Sequence, residues 1–296
     1  MTAPDLQTSA PAAASPRLPD DLGLGPTHLV VCNLDRASTW YQDALGLQEH
    51  GRDDGVARLG AGEDDVLVLH EQPGAREPGR HAGLYHVALL YPSRLELARA
   101  GQRLAASRTP VDGASDHGTH EAFYLRDADG NGLELAADRP REQWPDVRSI
   151  SGYAGGPQPL DVADLLSLVE GAPVEPQAAP GLRTGHLHLH VGDIDRALAF
   201  YRDILGFEEM VNLGSAAFLS AGGYHHHVGF NVWRGQGIGP YPPGTLGLDH
   251  WTIQLASDDV AAVRARIEAA GIATEPVDGG FVVRDPWNIP VAIVSR

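Results

Sequence analysis

The chain is poor in cysteine, in cations and in long apolar runs, and each shortage excludes something. One cysteine, Cys32, in 296 residues rules out an internal disulfide and fits a reducing compartment. Arg and Lys number 22 against 39 Asp and Glu, a formal net charge of −17. That balance argues against nucleic acid or an anionic membrane as a partner. No stretch approaches the roughly 18 apolar residues that a membrane helix needs. The first two dozen residues, rich in Ala, Pro, Ser and Asp, lack a basic start and an apolar stretch. Residues 1–23 therefore read as a disordered tail rather than a signal peptide, and the protein as cytoplasmic.

What remains is long for one hydrophobic core, and it repeats itself. LDRASTWYQDALG, Leu34 to Gly46, recurs as IDRALAFYRDILG, Ile194 to Gly206, at an offset of 160. Arg126-Asp127, before a turn and a strand, recurs as Arg284-Asp285. Each half divides again. Thr27 to Asn33 is a short alternating strand, and Asp35 to Gly46 a helix with Asp35 as N-cap and Gly46 past its end. Short strands follow at Ala57–Leu59 and Val66–His70; Leu84 to Tyr91 then restarts the cycle, with a helix from Ser93 to about Ser107. The second half, Gly185–Trp233 and Leu246–Ser295, runs in the same order.

The expected fold class is α+β, with four βαβββ units paired into two half-open barrel domains. Residues 24–140 form the first and 183–296 the second. Residues 141–182, rich in Pro, Gly and Ala, form a linker with one amphipathic helix near Leu160–Glu170.

The most informative segment is HGTHEAFYLRDADGNGLE, His117 to Glu134. Phe123, Tyr124 and Leu125 are strand formers, Asp127 to Gly132 is dense turn chemistry, and Leu133-Glu134-Leu135 resumes the strand. If Asp127 pairs with Asn131, Tyr124 stands opposite Glu134 on one face of the hairpin. His28 and His86 lie mid-strand, in the first strands of units one and two, and Glu134 on the last strand of unit two. Two histidines and a carboxylate on separate strands suit a facial triad for non-haem Fe(II), with three positions left open. Such a centre retains positive charge and suits an anionic chelating substrate.

GLYHVALLYPSR (Gly83–Arg94), the hairpin segment and GGYHHHVGFNVW (Gly222–Trp233) resemble the vicinal-oxygen-chelate superfamily, and within it the extradiol ring-cleaving dioxygenases of the bacterial catechol-2,3-dioxygenase type. The resemblance covers nearly the whole chain after the tail. His117, Phe123, Tyr124, Asp127, Gly130 and Glu134 match the dioxygenase signature in order. Ala128 stands where the family usually has Pro, which loosens a turn, and Ser115 where it favours Gly, Asn or Thr. The resemblance implies His28, His86 and Glu134 as metal ligands for Fe(II) or Mn(II). It implies His70 as the acid–base histidine, by its distance from His86. It also implies His117 and Tyr124 as the pair that hydrogen-bonds substrate and oxygen, with His120 a rival for His117. The implied partners are a small aromatic diol and O2, the diol ring opening beside its hydroxyls. Homo-oligomerisation is left open.

The second half keeps His188 and His250 at the matching strand positions but has Ala292 for Glu134 and Val282 for Tyr124, so it reads as a degenerate structural partner. The run His225-His226-His227 either completes a second metal site with His188 and His250 or lines a cleft mouth. Because side chains alternate along a strand, at most two of the three point one way, which favours the cleft mouth. Two other functions fit the same resemblance. A glyoxalase-like isomerase or lyase would use a fourth ligand, His70 or Glu71, around a hard divalent ion. A bleomycin-sequestering protein would use the cup without metal, and the acidic balance would suit a cationic drug.

Overall fold

The computed structural model describes residues 17–153 and 156–296. All four units have the expected order. Unit one is β1 (Thr27–Val31), α1 (Leu34–Leu45), β2 (Gln48–Asp53), β3 (Val56–Ala61) and β4 (Asp64–Glu71). Unit two is β5 (Gly83–Leu90), α2 (Arg94–Ser107), β6 (Gly113–Asp116), β7 (His120–Arg126) and β8 (Gly132–Asp138). The linker carries α3 (Val162–Ser167), shorter than expected. Unit three is β9 (Arg183–His190), α4 (Ile194–Leu198) running on into a π turn at Ala199–Leu205, β10 (Glu208–Asn212), β11 (Ala216–Ser220) and β12 (Val228–Asn231). Unit four is β13 (Gly247–Leu255), α5 (Ser257–Ala269), β14 (Thr274–Val277), β15 (Gly280–Arg284) and β16 (Pro290–Ser295).

Side-chain oxygens start four of the helices. Ser93 accepts from Glu96 N, Asp161 from Asp164 N, Asp193 from Arg196 N, and Asn33 from Arg36 N. Asn33, not Asp35, is therefore the N-cap of α1, because its oxygen reaches the free amide and Asp35 already lies inside the first turn. Gly46 ends α1 in the left-handed conformation, φ 73°.

The units pair across the two halves. One sheet runs β14-β15-β16-β13-β1-β4-β3-β2 and joins unit four to unit one; the other runs β6-β7-β8-β5-β9-β12-β11-β10 and joins unit two to unit three. Each sheet thus takes one unit from the stretch 24–140 and one from 183–296. The seams are antiparallel pairs of first strands, β1 with β13 and β5 with β9. Two buried hydrogen bonds, one in each half, tie one sheet to the other. Tyr41 on α1 donates to Asp127 Oδ2 at 2.8 Å, and Tyr201 donates to Asp285 Oδ2 at 3.1 Å. These are the recurring Tyr and Asp of the repeat, so the motif is a clamp between neighbouring units. Burial pushes both Asp carboxyls up.

Residues 1–16 of the expected tail lie outside the described residues. Its last part is ordered: Leu18 and Leu22 are buried in the core, Leu18 N donates to Gly206 O, and Gly23–Leu24 pairs with β13. The linker packs as well, with Gln158–Pro159 added to β6 and Leu165 of α3 fully buried. No helix among the described residues is long and apolar enough to cross a membrane.

Candidate metal centre and active site

The hairpin forms in the register its sequence dictates. Asp127 N donates to Asn131 O, and the Asp127 carboxylate accepts from the amides of Asp129 and Asn131. Gly130 supplies the positive φ, 85°, that the turn requires. Tyr124 consequently stands opposite Glu134. Glu134, 1% exposed, is flanked by the buried Leu133 and Leu135, and its side chain points to the opposite face, into the cavity.

The β5–β9 seam brings imidazoles to that carboxylate. His86 Nε2 lies 3.0 Å and His186 Nε2 3.1 Å from Glu134 Oε2, and His120 Nε2 lies 2.9 Å from Oε1. His86 Nε2 is fully buried yet has no aligned hydrogen-bond partner, although Glu134 is within reach. A buried ring nitrogen aimed past its neighbour is costly unless something else satisfies it. Donor atoms of His86, His186 and Glu134 lie within 4.8 Å of one another. Two neutral imidazoles and one carboxylate are a donor set that suits Fe(II) or Mn(II), so the residues fit such an ion. Electrostatics agree. Burial alone would raise the Glu134 carboxyl, but His186, His120 and His86 hold it well below the usual range. Burial pushes His186 down, so its ring is neutral and free to ligate.

Around this trio is a cavity of about 520 Å³. Tyr85, Phe218, Trp233 and His188 supply flat walls. His117 Nε2 meets the Tyr124 hydroxyl at 2.6 Å. Burial pushes His117 down to about 4, with His120 adding to the effect. Burial and then the Glu134 carboxylate push the Tyr124 phenol up, so it stays a proton donor. His226 also lines the cavity, its ring centroid 4.1 Å from that of His186, and burial pushes it well below the ordinary histidine value.

The family model for the Glyoxalase/Bleomycin resistance protein/Dioxygenase superfamily matches residues 23–135 and 183–293. The chain belongs to this superfamily. It is 39% identical over 274 residues to a catechol-2,3-dioxygenase of Bacillus subtilis strain 168, covering 90% of this chain and 95% of that one. Among solved structures, glyoxalase I from Zea mays superposes with a TM-score of 0.55 at 18% identity, covering 93% of each chain. The cppA protein of Streptococcus pneumoniae TIGR4 superposes at 0.57 and 14% identity, covering 93% of this chain and all of that one. These two likenesses show the superfamily fold.

Within that fold, His86, Glu134, His117 and Tyr124 come together, but His28 and His70 do not join them. β1 pairs with β13 and β4, so His28 stacks on His250 at 3.7 Å between ring centroids and its Nδ1 meets His70 Nε2 at 2.8 Å. Both therefore sit in the other sheet, and the first-strand histidine that lies beside Glu134 with His86 is His186. Glu71, offered as a fourth ligand, instead accepts from Leu34 N at the start of α1. In the His28 sheet Val282 faces Ala292 in the register held elsewhere by Tyr124 and Glu134, so its last strand offers no carboxylate there.

The sequence carried a signal for His186. It lies seven residues before the N-cap Asp193, as His86 lies seven before the N-cap Ser93. The offset of 160 leads instead from His28 to His188, two residues along the same face of β9. His225 and His226 do point one way, toward His186, while His227 turns to Ser220 and Ala221. They are buried beside the Glu134 cavity and nowhere near His250, which belongs to the other sheet.

Proposed function

We propose that this chain is an extradiol ring-cleaving dioxygenase that opens a catechol-like aromatic diol with O2 at Fe(II), or Mn(II), held by His86, His186 and Glu134. The observation that supports this best is the convergence of the unpartnered His86 Nε2, His186 Nε2 and Glu134 Oε2 on one cavity. The 39% identity to a catechol-2,3-dioxygenase supports it independently. When bound, the ion would supply a Lewis acid for the diol and a route for electron density from ring to oxygen.

The chain's own residues supply the rest. His226 replaces His70 in the acid–base role: it is a neutral imidazole that lines the cavity outside the trio, beside His186, suited to take a proton from a diol hydroxyl. Tyr124, protonated and held by His117, would donate to an oxygen of the substrate. The aromatic walls of Tyr85, Phe218 and Trp233 suit a flat ring and exclude water from it.

The test is metal content and oxygen uptake on protein purified without air, with catechol added. Stoichiometric iron or manganese, oxygen consumption and a yellow ring-opened product are expected. Zinc or nickel without oxygen uptake would favour a glyoxalase-like isomerase. Absence of any metal would favour a ligand-binding protein.

A further inference from the structure

One part of the histidine run has no role in the chemistry above. His225 is 1% exposed and sits behind His226, away from the cavity lining. Its Nδ1 lies 2.9 Å from His226 Nδ1, and its Nε2 lies 3.1 Å from Asp138 Oδ1. Tyr224 donates its hydroxyl to the same carboxylate, 3.0 Å from Oδ2 and 3.2 Å from Oδ1. Burial pushes the Asp138 carboxyl up, and His120 and Tyr224 counter this. Rings pack His225 in place: His120 stacks on it at 4.7 Å, Tyr224 at 4.0 Å and Trp144 at 5.2 Å.

A neutral imidazole carries one N–H and one lone pair, so a line of such bonds has a direction. An ionised carboxylate only accepts, so the proton of His225 sits on Nε2, facing Asp138. His225 Nδ1 is then an acceptor, and His226 must place its own proton on Nδ1 to meet it. His226 Nε2 is left with its lone pair and has no hydrogen-bond partner among the described residues.

We propose that Asp138 and His225 are positioning residues that hold His226 in the Nδ1–H tautomer, so that its bare Nε2 faces the diol. This rests on the dioxygenase reading and deepens it. The diol hydroxyl loses its proton to His226 Nε2, and the positive charge formed on that ring is stabilised through Nδ1–H and His225 by Asp138. Nothing is oxidised in this step, and the same proton is available to return to the product.

The rival arrangement is ligation, since nitrogens of His186, His225 and His226 lie within 4.8 Å of one another. One experiment separates the two. Full-length protein labelled with 15N-histidine and loaded with diamagnetic zinc would be examined by long-range 1H–15N correlation, in wild type and Asp138→Asn. Wild-type His226 is expected as Nδ1–H, with Nε2 at the shift of an unprotonated, metal-free nitrogen. In Asp138→Asn the Tyr224 hydroxyl holds the amide oxygen, the amide N–H faces His225 Nε2, and the line reverses. His226 would then carry its proton on Nε2.

Iron-loaded Asp138→Asn should keep the metal and lower kcat for catechol about a hundredfold with KM little changed. An Nε2–H tautomer for His226 in the wild type would overturn the proposal. So would a zinc-induced shift of its Nε2, or an unchanged tautomer in Asp138→Asn. The wild-type spectrum decides the tautomer even if the variant fails to fold. An absence of oxygen uptake by the wild type would instead remove the dioxygenase reading and leave the tautomer result standing.

Discussion

His186 Nε2 lies 3.1 Å from Glu134 Oε2, although the two residues come from different halves of the chain. The contact exists because β9 of unit three lies beside β5 of unit two, whose last strand β8 carries Glu134. The candidate centre therefore belongs to a seam between halves, and its ligands are separable by mutation from the histidines of the other seam.

His186→Ala, His86→Ala and Glu134→Ala should each abolish stoichiometric metal, whereas His28→Ala and His70→Ala should retain it. Metal analysis of the five purified variants checks this. Retention by His186→Ala with loss by His28→Ala would move the centre to the other sheet.

Tyr124→Phe should keep the metal and the fold and slow turnover of a diol by about ten- to a hundredfold, since it deletes a proton donor held 2.6 Å from His117. Steady-state oxygen uptake measures it. Full activity would take Tyr124 out of the mechanism.

Tyr41→Phe removes the donor to Asp127 Oδ2 at a fully buried site and leaves that oxygen with the Asn131 amide as its remaining donor. A loss of about 1–3 kcal/mol in urea unfolding is expected. A change within the error of the measurement would mean that the clamp between units contributes nothing net.

Acid should destabilise the fold before any carboxylate titrates at its ordinary value. Burial holds His28 and His227 down to about 3 and His117 to about 4. An unfolded histidine titrates near 6.5, so between that value and the folded one the unfolded chain binds more protons. The stabilisation is fully present above about pH 6.5 and is lost as pH falls toward 4. Asp285 acts with the opposite sign. Burial raises its carboxyl to about 7, so it holds a proton in the folded state; its contribution is complete below the unfolded value and is lost as pH rises through about 7. Asp285→Asn should therefore steepen the decline of Tm between pH 7 and 4. A wild-type Tm that is flat across that range would show that the histidines are not held neutral as described.

The sequence by itself determined what short-range bonds determine. The Asp127 turn, the opposition of Tyr124 and Glu134 and the strand–helix–strand order of each unit follow from period-two alternation and from side chains reaching amides a few residues away. The repeated Tyr and Asp were visible as a motif, though not as the partners they are. Only the tertiary structure decided which units share a seam. First strands of all four units carry a mid-strand histidine, so His28, His86, His186 or His188, and His250 are alike in local pattern. The seven-residue spacing to the N-cap matches His186 with His86, but nothing local says which first strands share a seam, because a ligand is selected by the strand packed beside it. That pairing follows from burying the apolar faces of four units in two sheets at once, which placed His28 against His250 and His186 against Glu134.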